Sequence, residues 1–333
     1  MPKLTIAIAG FGWWGKHMAT RLRGNPHIAV KTVVEPLTGR HADIVALGLA
    51  PARDLAEALA DPDVEAVVLT TPNTLHEEHV VACAGAGKHV FCEKPLGLTA
   101  ASARRSVQAC MEAGVQLGIG HERRFEPAMV TLAGMVREGA LGTIMHAEAA
   151  FSHDKLINVP PGDWRTMKAT APAAAMTAMG IHLTDLLIAF FGRVKTVQAM
   201  VSRRVLEWET GDVVTVQLGF EAGMTASLSA VLYTPHFIRM HVFGSREWVE
   251  VRNDTHPDTP GGVAELVRAR TGYPHELIRY DWTDTVVANL EAFAAAIRGV
   301  APYPFTHEQM VHNIELLEAI ARSAEDGATV HLS

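Results

Sequence analysis

Residues 4–15 have the sequence LTIAIAGFGWWG, and this stretch decides the fold of the first part of the chain. Its apolar first half predicts a parallel strand that is buried on both faces, and its glycine-rich second half predicts a tight turn. Residues 17–23 then predict a helix, and the apolar run 28–34 predicts a second strand that leads directly into Glu35. This order of strand, glycine turn, helix, strand and acid is typical of a unit that binds a dinucleotide.

Each glycine of the turn has its own task in such a unit. Gly10 permits the tight turn, Gly12 lets the backbone approach a pyrophosphate, and Gly15 lets the helix pack closely on the strand. The N–H groups and the dipole at the helix N-terminus favour the phosphates. Glu35 lies where a carboxylate accepts hydrogen bonds from the adenosine ribose, and it would repel a 2′-phosphate. The sequence therefore predicts NAD, with NADP less favoured, although Arg40 could still turn toward the adenosine.

The aromatic residues of the turn, Phe11, Trp13 and Trp14, are included in the predicted cofactor site. A tryptophan inside such a turn can pack on the cofactor. Large aromatic side chains more commonly just bury apolar area, and this alternative stays open for both tryptophans.

Strands and helices continue to alternate as far as residue 119. Further strands are predicted at 66–70, 89–92 and 115–119, with helices at 54–59, 76–86 and 102–113. Such an alternation predicts an α/β fold with a doubly wound parallel sheet, whose ligands bind at the carboxyl ends of the strands. Four candidate segments fall at such ends: Gly10 to Gly15, Glu35, Thr71-Pro72-Asn73 and Glu93-Lys94-Pro95.

The pattern changes after residue 121, so we expect two domains, 1–121 and 122–333. A helix is predicted at 127–137, and successive strands are predicted at 143–152, 194–201, 213–220, 224–231 and 237–242. Strands that follow one another without helices predict an α+β domain with a mostly antiparallel open sheet. We expect an irregular loop over 257–280 and helices near 284–298 and 307–324, of which the last could pack back on the first domain.

Composition narrows the classes of function. The chain has 333 residues, 48% of them hydrophobic, with a formal net charge of −7, and no Lys/Arg-rich run suggests a nucleic-acid or membrane partner. Its three cysteines form no C-x-x-C pair, which indicates reduced thiols in a cytoplasmic protein. The seventeen histidines show no H-E-x-x-H spacing, so no metal site is predicted.

The motifs together resemble the Gfo/Idh/MocA family, which includes glucose–fructose oxidoreductase and inositol dehydrogenase. Four signatures match in order: Gly10 to Gly15, Thr71-Pro72-Asn73 with His76, Glu93-Lys94-Pro95, and Gly180-Ile181-His182. The segments Arg123-Arg124-Phe125-Glu126-Pro127, Leu141-Gly142 and Asp163-Trp164-Arg165 also look like the family. The resemblance implies a Rossmann domain followed by an α+β domain whose open sheet forms a homodimer or homotetramer interface.

The resemblance also implies the catalytic residues. In this family, the lysine that matches Lys94 lies beside the nicotinamide and the substrate hydroxyl, and the histidine that matches His182 is usually the acid/base. Chemistry supports both roles, since loss of a hydride from a carbinol carbon requires a base for the hydroxyl proton, and a lysine polarises the oxygen. A solvated Lys94 and a His182 that is merely packed within a helix are the alternatives. Thr71, Pro72, Asn73, His76 and Glu93 are assigned to the cofactor site.

The chain departs from the family at one position. Relatives usually carry an aspartate four residues before the catalytic histidine, where this chain has Ala178. Either another carboxylate replaces it, such as Asp185, Asp163 or Asp154, or the substrate is not a simple inositol or glucose. Asp185 lies one turn after His182 on the same face, and the alternative for it is a helix-surface or capping role. Arg123, Arg165 and Asp185 are candidates for binding substrate.

The resemblance implies an NAD(P)-dependent dehydrogenase that acts on a small molecule, a secondary alcohol of a sugar, polyol or cyclic diol. Two other functions stay open. The first is a lyase or hydrolase that oxidises its substrate transiently with a retained cofactor. The second is a cofactor-binding regulatory protein without chemistry.

Overall fold

The computed structural model describes residues 2–173, 175–256 and 259–332. The chain forms two compact units, Met1–His121 with Val286–Val311, and Glu122–Thr285 with His312–Ser333. The first unit therefore includes a segment from near the end of the chain as well as its beginning. No helix in the described part of the chain is long and apolar enough to cross a membrane.

The elements of the described residues follow in chain order. The strands are β1 (Leu4–Ala9), β2 (Ile28–Val34), β3 (Ala50–Ala52), β4 (Ala66–Leu69), β5 (His89–Cys92), β6 (Leu117–Ile119), β7 (Ile144–Ser152), β8 (Val194–Ser202), β9 (Val213–Phe220), β10 (Thr225–Val231), β11 (Phe237–Gly244), β12 (Glu247–Asn253), β13 (Val263–Arg270), β14 (Glu276–Asp281) and β15 (Val330–His331). The helices are α1 (Trp13–Arg21), α2 (His41–Ala46), α3 (Leu55–Ala60), α4 (His76–Gly85), α5 (Ala100–Ala113), α6 (Pro127–Arg137), α7 (Ile181–Phe191), α8 (Thr285–Ile297) and α9 (His307–Asp326).

The sheet of the first unit has the order β3-β2-β1-β4-β5-β6, and all its strand pairs are parallel. This confirms the predicted doubly wound parallel sheet. The order reverses at β1, so the chain passes from β3 at one edge to β4 on the other side of β1. Ligands of such sheets bind at this switch point, outside the carboxyl ends of the strands. A ligand is therefore expected at the loops that follow β1, β2, β4 and β5.

The core of the first unit joins the sheet to α8. Leu4, Ile6 and Ile8 of β1 pack in one buried cluster with Phe293 of α8 and with Phe91, whose ring meets that of Phe293 edge to face at 5.6 Å. This packing explains why residues 286–311 belong to the first unit.

The second unit is built on a nine-stranded sheet with the order β14-β13-β12-β11-β7-β10-β9-β8-β15. All pairs are antiparallel except β7 with β10, which confirms the predicted mostly antiparallel sheet. Helix α7 is buried along residues 181–188. Its sequence IHLTDLLI is apolar on most sides, which is typical of a helix enclosed by its own domain.

The expectation of an irregular loop over 257–280 is wrong for most of its length. Strands β13 and β14 occupy residues 263–270 and 276–281, while 257 and 258 lie outside the described residues. Charged side chains on one face of these strands make the alternation of buried and exposed residues hard to recognise in the sequence. They form ion pairs across the sheet, such as Arg268 with Glu247 at 2.8 Å and Arg279 with Glu265 at 3.0 Å. Only the partner strand explains why so charged a segment is extended.

Candidate active site

The glycine turn after β1 is shaped by close backbone approaches. Gly10 has a φ of +98°, which side chains with a Cβ rarely adopt, and a Cβ there would lie 2.9 Å from the Thr70 carbonyl oxygen. A Cβ on Gly15 would overlap the carbonyl oxygen of Gly10. In contrast, a Cβ on Gly12 would meet nothing within 4 Å. The protein's own packing therefore requires Gly10 and Gly15, whereas the open space beside Gly12 is available to a ligand.

The aromatic residues of the turn have different surroundings. Phe11 is 4% exposed and belongs to the hydrophobic core of the unit, so only its backbone is available to a cofactor. Trp13 is 67% exposed, and its ring stacks on those of Trp14 and His17 at 5.2 Å from each. The exposed Trp13 face can receive a flat group, and its contact with a cofactor stays a prediction.

Glu35 lies at the carboxyl end of β2 and is nearly buried. Its Oε1 accepts a hydrogen bond from the Leu37 backbone N–H at 2.9 Å, and its Oε2 pairs with the Arg40 guanidinium at 3.3 Å. The His41 ring contacts the Glu35 carbonyl at 2.8 Å. The backbone and His41 hold this residue in place, while Arg40 neutralises part of the charge on which discrimination against a 2′-phosphate depends.

His76 connects the loops that follow β4 and β5. It is buried, and its two ring nitrogens lie 2.6 Å from the Pro95 carbonyl oxygen and 2.9 Å from that of Thr71. Burial lowers the pKa of His76, although each carbonyl oxygen favours the protonated ring. His76 thus links the segment Thr71-Pro72-Asn73 to the loop that carries Lys94. Its assignment to the cofactor site stays a prediction.

Glu93 is a buried carboxyl at the end of β5. Burial raises its pKa to about 7, against the opposing effects of the Trp14 indole and the Lys94 ammonium. Its Oε2 accepts a hydrogen bond from the Lys94 backbone N–H at 3.2 Å. A Cβ on Gly120 would overlap this carboxylate, so Gly120 makes the room in which Glu93 lies. The Glu93 backbone N–H donates to the Leu69 carbonyl oxygen at 2.9 Å, and the adjacent Thr70 hydroxyl donates to the Gly10 carbonyl oxygen at 2.9 Å, so the Glu93-Lys94-Pro95 segment lies beside the glycine turn.

These residues of the first unit fit a nicotinamide dinucleotide. The space beside Gly12 and the N-terminus of α1, where Gly12 offers no side-chain cap, suit a pyrophosphate. The Glu35 carboxylate suits a ribose diol. Lys94, half-buried and directly after Glu93, supplies a cation at the carboxyl end of β5.

In the second unit, His182 lies in the first turn of α7 beside a carboxylate. Its Nδ1 is 3.6 Å from Oε2 of Glu122, and the two side chains are 7% and 14% exposed. Glu122 belongs to a short 3₁₀ segment, Glu122–Phe125, that follows the first unit in the chain. On another side, the Phe151 ring of β7 lies 6.1 Å from the imidazole, centroid to centroid. This arrangement is that of a general base with an acidic neighbour on one ring nitrogen.

Asp185 has a different partner. Both its carboxylate oxygens accept hydrogen bonds from Arg124, each at 2.7 Å, and the two side chains are 2% and 9% exposed. This bidentate pair ties α7 to the 3₁₀ segment that also carries Glu122. Of the two carboxylates, Glu122 is therefore the one that lies against His182. The prediction that Asp185 replaces the missing aspartate is not supported by this placement.

The two candidate arginines lie in contrasting places. Arg123 is fully buried, where it pairs with Glu126 at 2.9 Å and donates to the Asn253 side chain at 2.8 Å. It stabilises the interior of the unit, and its prediction as a substrate ligand finds no support there. Arg165 is 43% exposed and lies over the Trp164 ring, 4.1 Å from its centroid. It remains accessible to a ligand.

The sequence patterns did not indicate two residues, Gly120 in the first unit and Glu122 in the second. Gly120 and Glu122 flank the end of the first unit, and neither belongs to a motif that predicts a contact with Glu93 or His182. Their roles depend on approaches between residues that are 27 and 60 positions apart. Within the described ranges, no group of three or more His, Cys, Asp or Glu side chains is arranged to hold a metal ion.

Comparison with known protein families gives two matches along the chain. Residues 4–121 match an oxidoreductase family with an NAD-binding Rossmann fold, and residues 129–250 match the GFO/IDH/MocA C-terminal domain.

Individual relatives are similar along most of the chain. The scyllo-inositol 2-dehydrogenase (NADP(+)) of Bacillus subtilis is 27% identical over 84% of this chain and 82% of its own length. The 4-carboxy-2-hydroxymuconate-6-semialdehyde dehydrogenase of a Sphingobium strain is 30% identical over 68% of this chain and 71% of its own. The solved structure of GenD2 from gentamicin A biosynthesis in complex with NAD matches with a TM-score of 0.86 at 26% identity, over 100% of this chain and 97% of that one.

Proposed function

Because the chain belongs to the Gfo/Idh/MocA oxidoreductase family, we propose that it is a dehydrogenase acting on a secondary alcohol of a sugar, polyol or cyclic diol. The observation that carries this proposal is a hydrogen-bonded connection in the first unit between Glu93 and the glycine turn. The Glu93 backbone N–H donates to the Leu69 carbonyl oxygen at 2.9 Å, and the hydroxyl of the next residue, Thr70, donates to the Gly10 carbonyl oxygen at 2.9 Å. This connection keeps Lys94, the residue after Glu93, near the turn that suits the pyrophosphate.

Oxidation of an alcohol requires a hydride to leave the carbon and a proton to leave the hydroxyl. Lys94 and His182 have different roles in this reaction. Bound nicotinamide supplies the hydride acceptor. Lys94 donates a hydrogen bond to the substrate oxygen and stabilises the negative charge that develops there. His182 accepts the hydroxyl proton at a ring nitrogen and returns it in the reverse reaction.

We propose that NAD is preferred over NADP. The buried Glu35 carboxylate supports this preference, because a 2′-phosphate beside it would carry like charge. Arg40, 49% exposed at its side chain, opposes it, because it could leave Glu35 for the phosphate. The ratio of kcat/KM for the two cofactors tests the proposal. A ratio above one for NAD is expected, and Arg40→Ala should raise it further. A ratio that favours NADP would overturn the preference.

We further propose that the substrate is not a simple inositol or glucose but a modified sugar or a carboxylated cyclic diol. Ala178 supports this, because it offers no group that could hold a substrate hydroxyl where relatives carry an aspartate. One relative is itself named for a carboxylated semialdehyde. Strong activity on myo-inositol or glucose would contradict the proposal.

Absorbance of the reduced cofactor tests the function directly. The protein is incubated with NAD or NADP and a panel of sugars, uronic acids, polyols and cyclic diols. Reduction of the cofactor with one of them is the expected result. Turnover without net reduction would replace the proposal with the lyase or hydrolase function. Cofactor binding without any turnover would replace it with the regulatory function.

We also propose that the protein is a homodimer or homotetramer associated through the open sheet of the second unit. Neighbouring strands β11 and β12 carry a cluster of rings on their outward face. His241 lies 4.0 Å from Phe243 and 5.0 Å from Trp248, centroid to centroid, and all three are half-buried. Aromatic residues are enriched in such interfaces. Light scattering after size exclusion should give two or four times 36.0 kDa, and a monomer would refute the proposal.

A further inference from the structure

The imidazole of His182 has an acidic neighbour that the sequence patterns did not indicate. Glu122 approaches its Nδ1 to 3.6 Å, and both side chains are almost excluded from solvent. A carboxylate is seldom buried without a charged or hydrogen-bonding partner, because removing its charge from water costs free energy that the partner must offset. The residue one turn before His182, Ala178, has no hydrogen-bond acceptor on its side chain. The other carboxylate on α7, Asp185, is engaged by Arg124.

We propose that Glu122 is a positioning residue for His182. Glu122 holds the imidazole ring so that Nε2 is the nitrogen that exchanges the substrate proton. The proposal rests on the dehydrogenase function for the identity of that proton. The contact itself is a property of the second unit alone.

The proposed task follows from the chemistry of imidazole. A neutral ring carries its proton on one nitrogen, and a carboxylate beside Nδ1 favours the tautomer with the proton on Nδ1. Nε2 is then unprotonated and able to act as a base. Once Nε2 has taken the proton, the ring is a cation, and the negative charge of Glu122 stabilises it. A separation of 3.6 Å is longer than a hydrogen bond, and catalytic contacts often shorten only when substrate binds.

Among the described contacts of His182, Glu122 is a charged neighbour at 3.6 Å. Strand β7 presents the uncharged Phe151 ring, with the Arg123 guanidinium 5.7 Å from the centroid of that ring and His153 also in ring contact with it. The charge of Asp185, on α7 itself, is compensated by Arg124. Removal of the Glu122 charge should therefore destabilise the imidazolium form of His182.

Three variants of the full chain separate positioning from structure. Glu122→Gln removes the charge while keeping the size, and Glu122→Asp keeps the charge on a shorter side chain. Glu221→Gln, directly after β9, makes the same change of charge at a side chain that is 58% exposed and pairs with Arg193 at 3.5 Å. For each protein, NMR follows the titration of the His182 ring, kinetics give kcat and KM against pH, and thermal unfolding reports the fold.

Removal of the Glu122 charge should move the titration midpoint of the His182 ring to lower pH. In Glu122→Gln, His182 should titrate about one pH unit lower than in the unchanged protein, because an opposite charge at this range shifts a pKa by one unit or more. The acidic limb of the kcat/KM profile should move by the same amount, and kcat should fall about 10- to 100-fold, a part of what a general base contributes. Glu122→Asp should recover most of both, and Glu221→Gln should match the unchanged protein.

Two results would overturn the proposal. One is a His182 titration in Glu122→Gln that is the same as in the unchanged protein, whatever the activity. The other is equal losses in Glu122→Asp and Glu122→Gln accompanied by earlier unfolding, which would assign a structural role to Glu122. If no substrate is oxidised by the unchanged protein, the dehydrogenase proposal fails, while the titration still decides the contact.

Discussion

Replacement of Gly15 by alanine should push α1 away from β1 and destabilise the first unit. The new Cβ would overlap the Gly10 carbonyl oxygen and lie 2.7 Å from Oγ1 of Thr70, where ordinary contacts begin at 3.4 Å. The Thr70 contact alone therefore requires movement of about 0.7 Å, and the carbonyl is backbone that cannot rotate away. Overpacking in a well-packed interior costs typically 1–3 kcal/mol, and we expect about 3 kcal/mol here.

Gly12→Ala is the matched control, because the same methyl group meets no protein atom within 4 Å there. Gly12 has φ −67° and ψ −169°, an extended conformation that alanine adopts. The free energy of unfolding should change by less than about 1 kcal/mol, the usual range for alanine at a helix N-cap. The methyl group would instead stand where backbone should meet the pyrophosphate, so NAD affinity should fall at least about tenfold, or 1.4 kcal/mol.

Thermal unfolding without cofactor and calorimetric titration with NAD measure the two effects separately. Gly15→Ala should unfold at a lower temperature, whereas Gly12→Ala should unfold like the unchanged protein and bind NAD weakly. A Gly15→Ala protein as stable as the unchanged one, or a Gly12→Ala protein that binds NAD with full affinity, would contradict these expectations.

Three further predictions concern single side chains. Lys94→Ala should keep the unfolding temperature and lose about 100-fold or more in kcat, because polarisation of the oxygen is worth several kcal/mol, and near-full turnover would contradict its role. Burial raises the pKa of folded Glu93 from 4.5 to about 7, so the stabilisation that protonated Glu93 contributes without cofactor is fully present below about pH 4.5 and is lost, by roughly 3 kcal/mol, as the pH rises through 7. The free energy of unfolding, measured with urea at several pH values, should show this loss in the unchanged protein but not in Glu93→Gln. An equal dependence of the unfolding free energy on pH in the two proteins would disprove the cause. Asp185→Asn leaves the nearly buried Arg124 without its counter-charge and should cost about 3 kcal/mol, and an unchanged unfolding temperature would argue against the pair.

Local patterns were sufficient for the first unit. Strands β1, β2 and β5 have the predicted bounds, because each is an apolar run that ends at a glycine or an acid. The carboxyl ends of these strands carry the glycine turn, Glu35 and Glu93, so the candidate cofactor residues could be chosen by position alone. The short elements β3 and α2 were not predicted, since β3 has only three residues and α2 begins without the side-chain N-cap that Asp54 gives to α3, a helix of the same length.

Long-range contacts explain what the sequence could not reveal. Charged strands such as β13 are extended because of their partners across the sheet, as the ion pair of Arg268 with Glu247 illustrates. The approach of Glu122 to His182 joins residues 60 positions apart, and no spacing rule relates them. Asp185 was the more obvious choice by helical spacing, yet Arg124 holds it.

Transfer of a labelled hydride tests the central proposal, that this chain is a dehydrogenase, most directly. A substrate found in the panel is prepared with deuterium on its carbinol carbon and incubated with the protein and NAD, and the cofactor is then analysed by mass spectrometry. We expect one deuterium in the reduced nicotinamide and almost none formed by Lys94→Ala. Substrate turnover with the cofactor left oxidised and unlabelled would contradict the proposal.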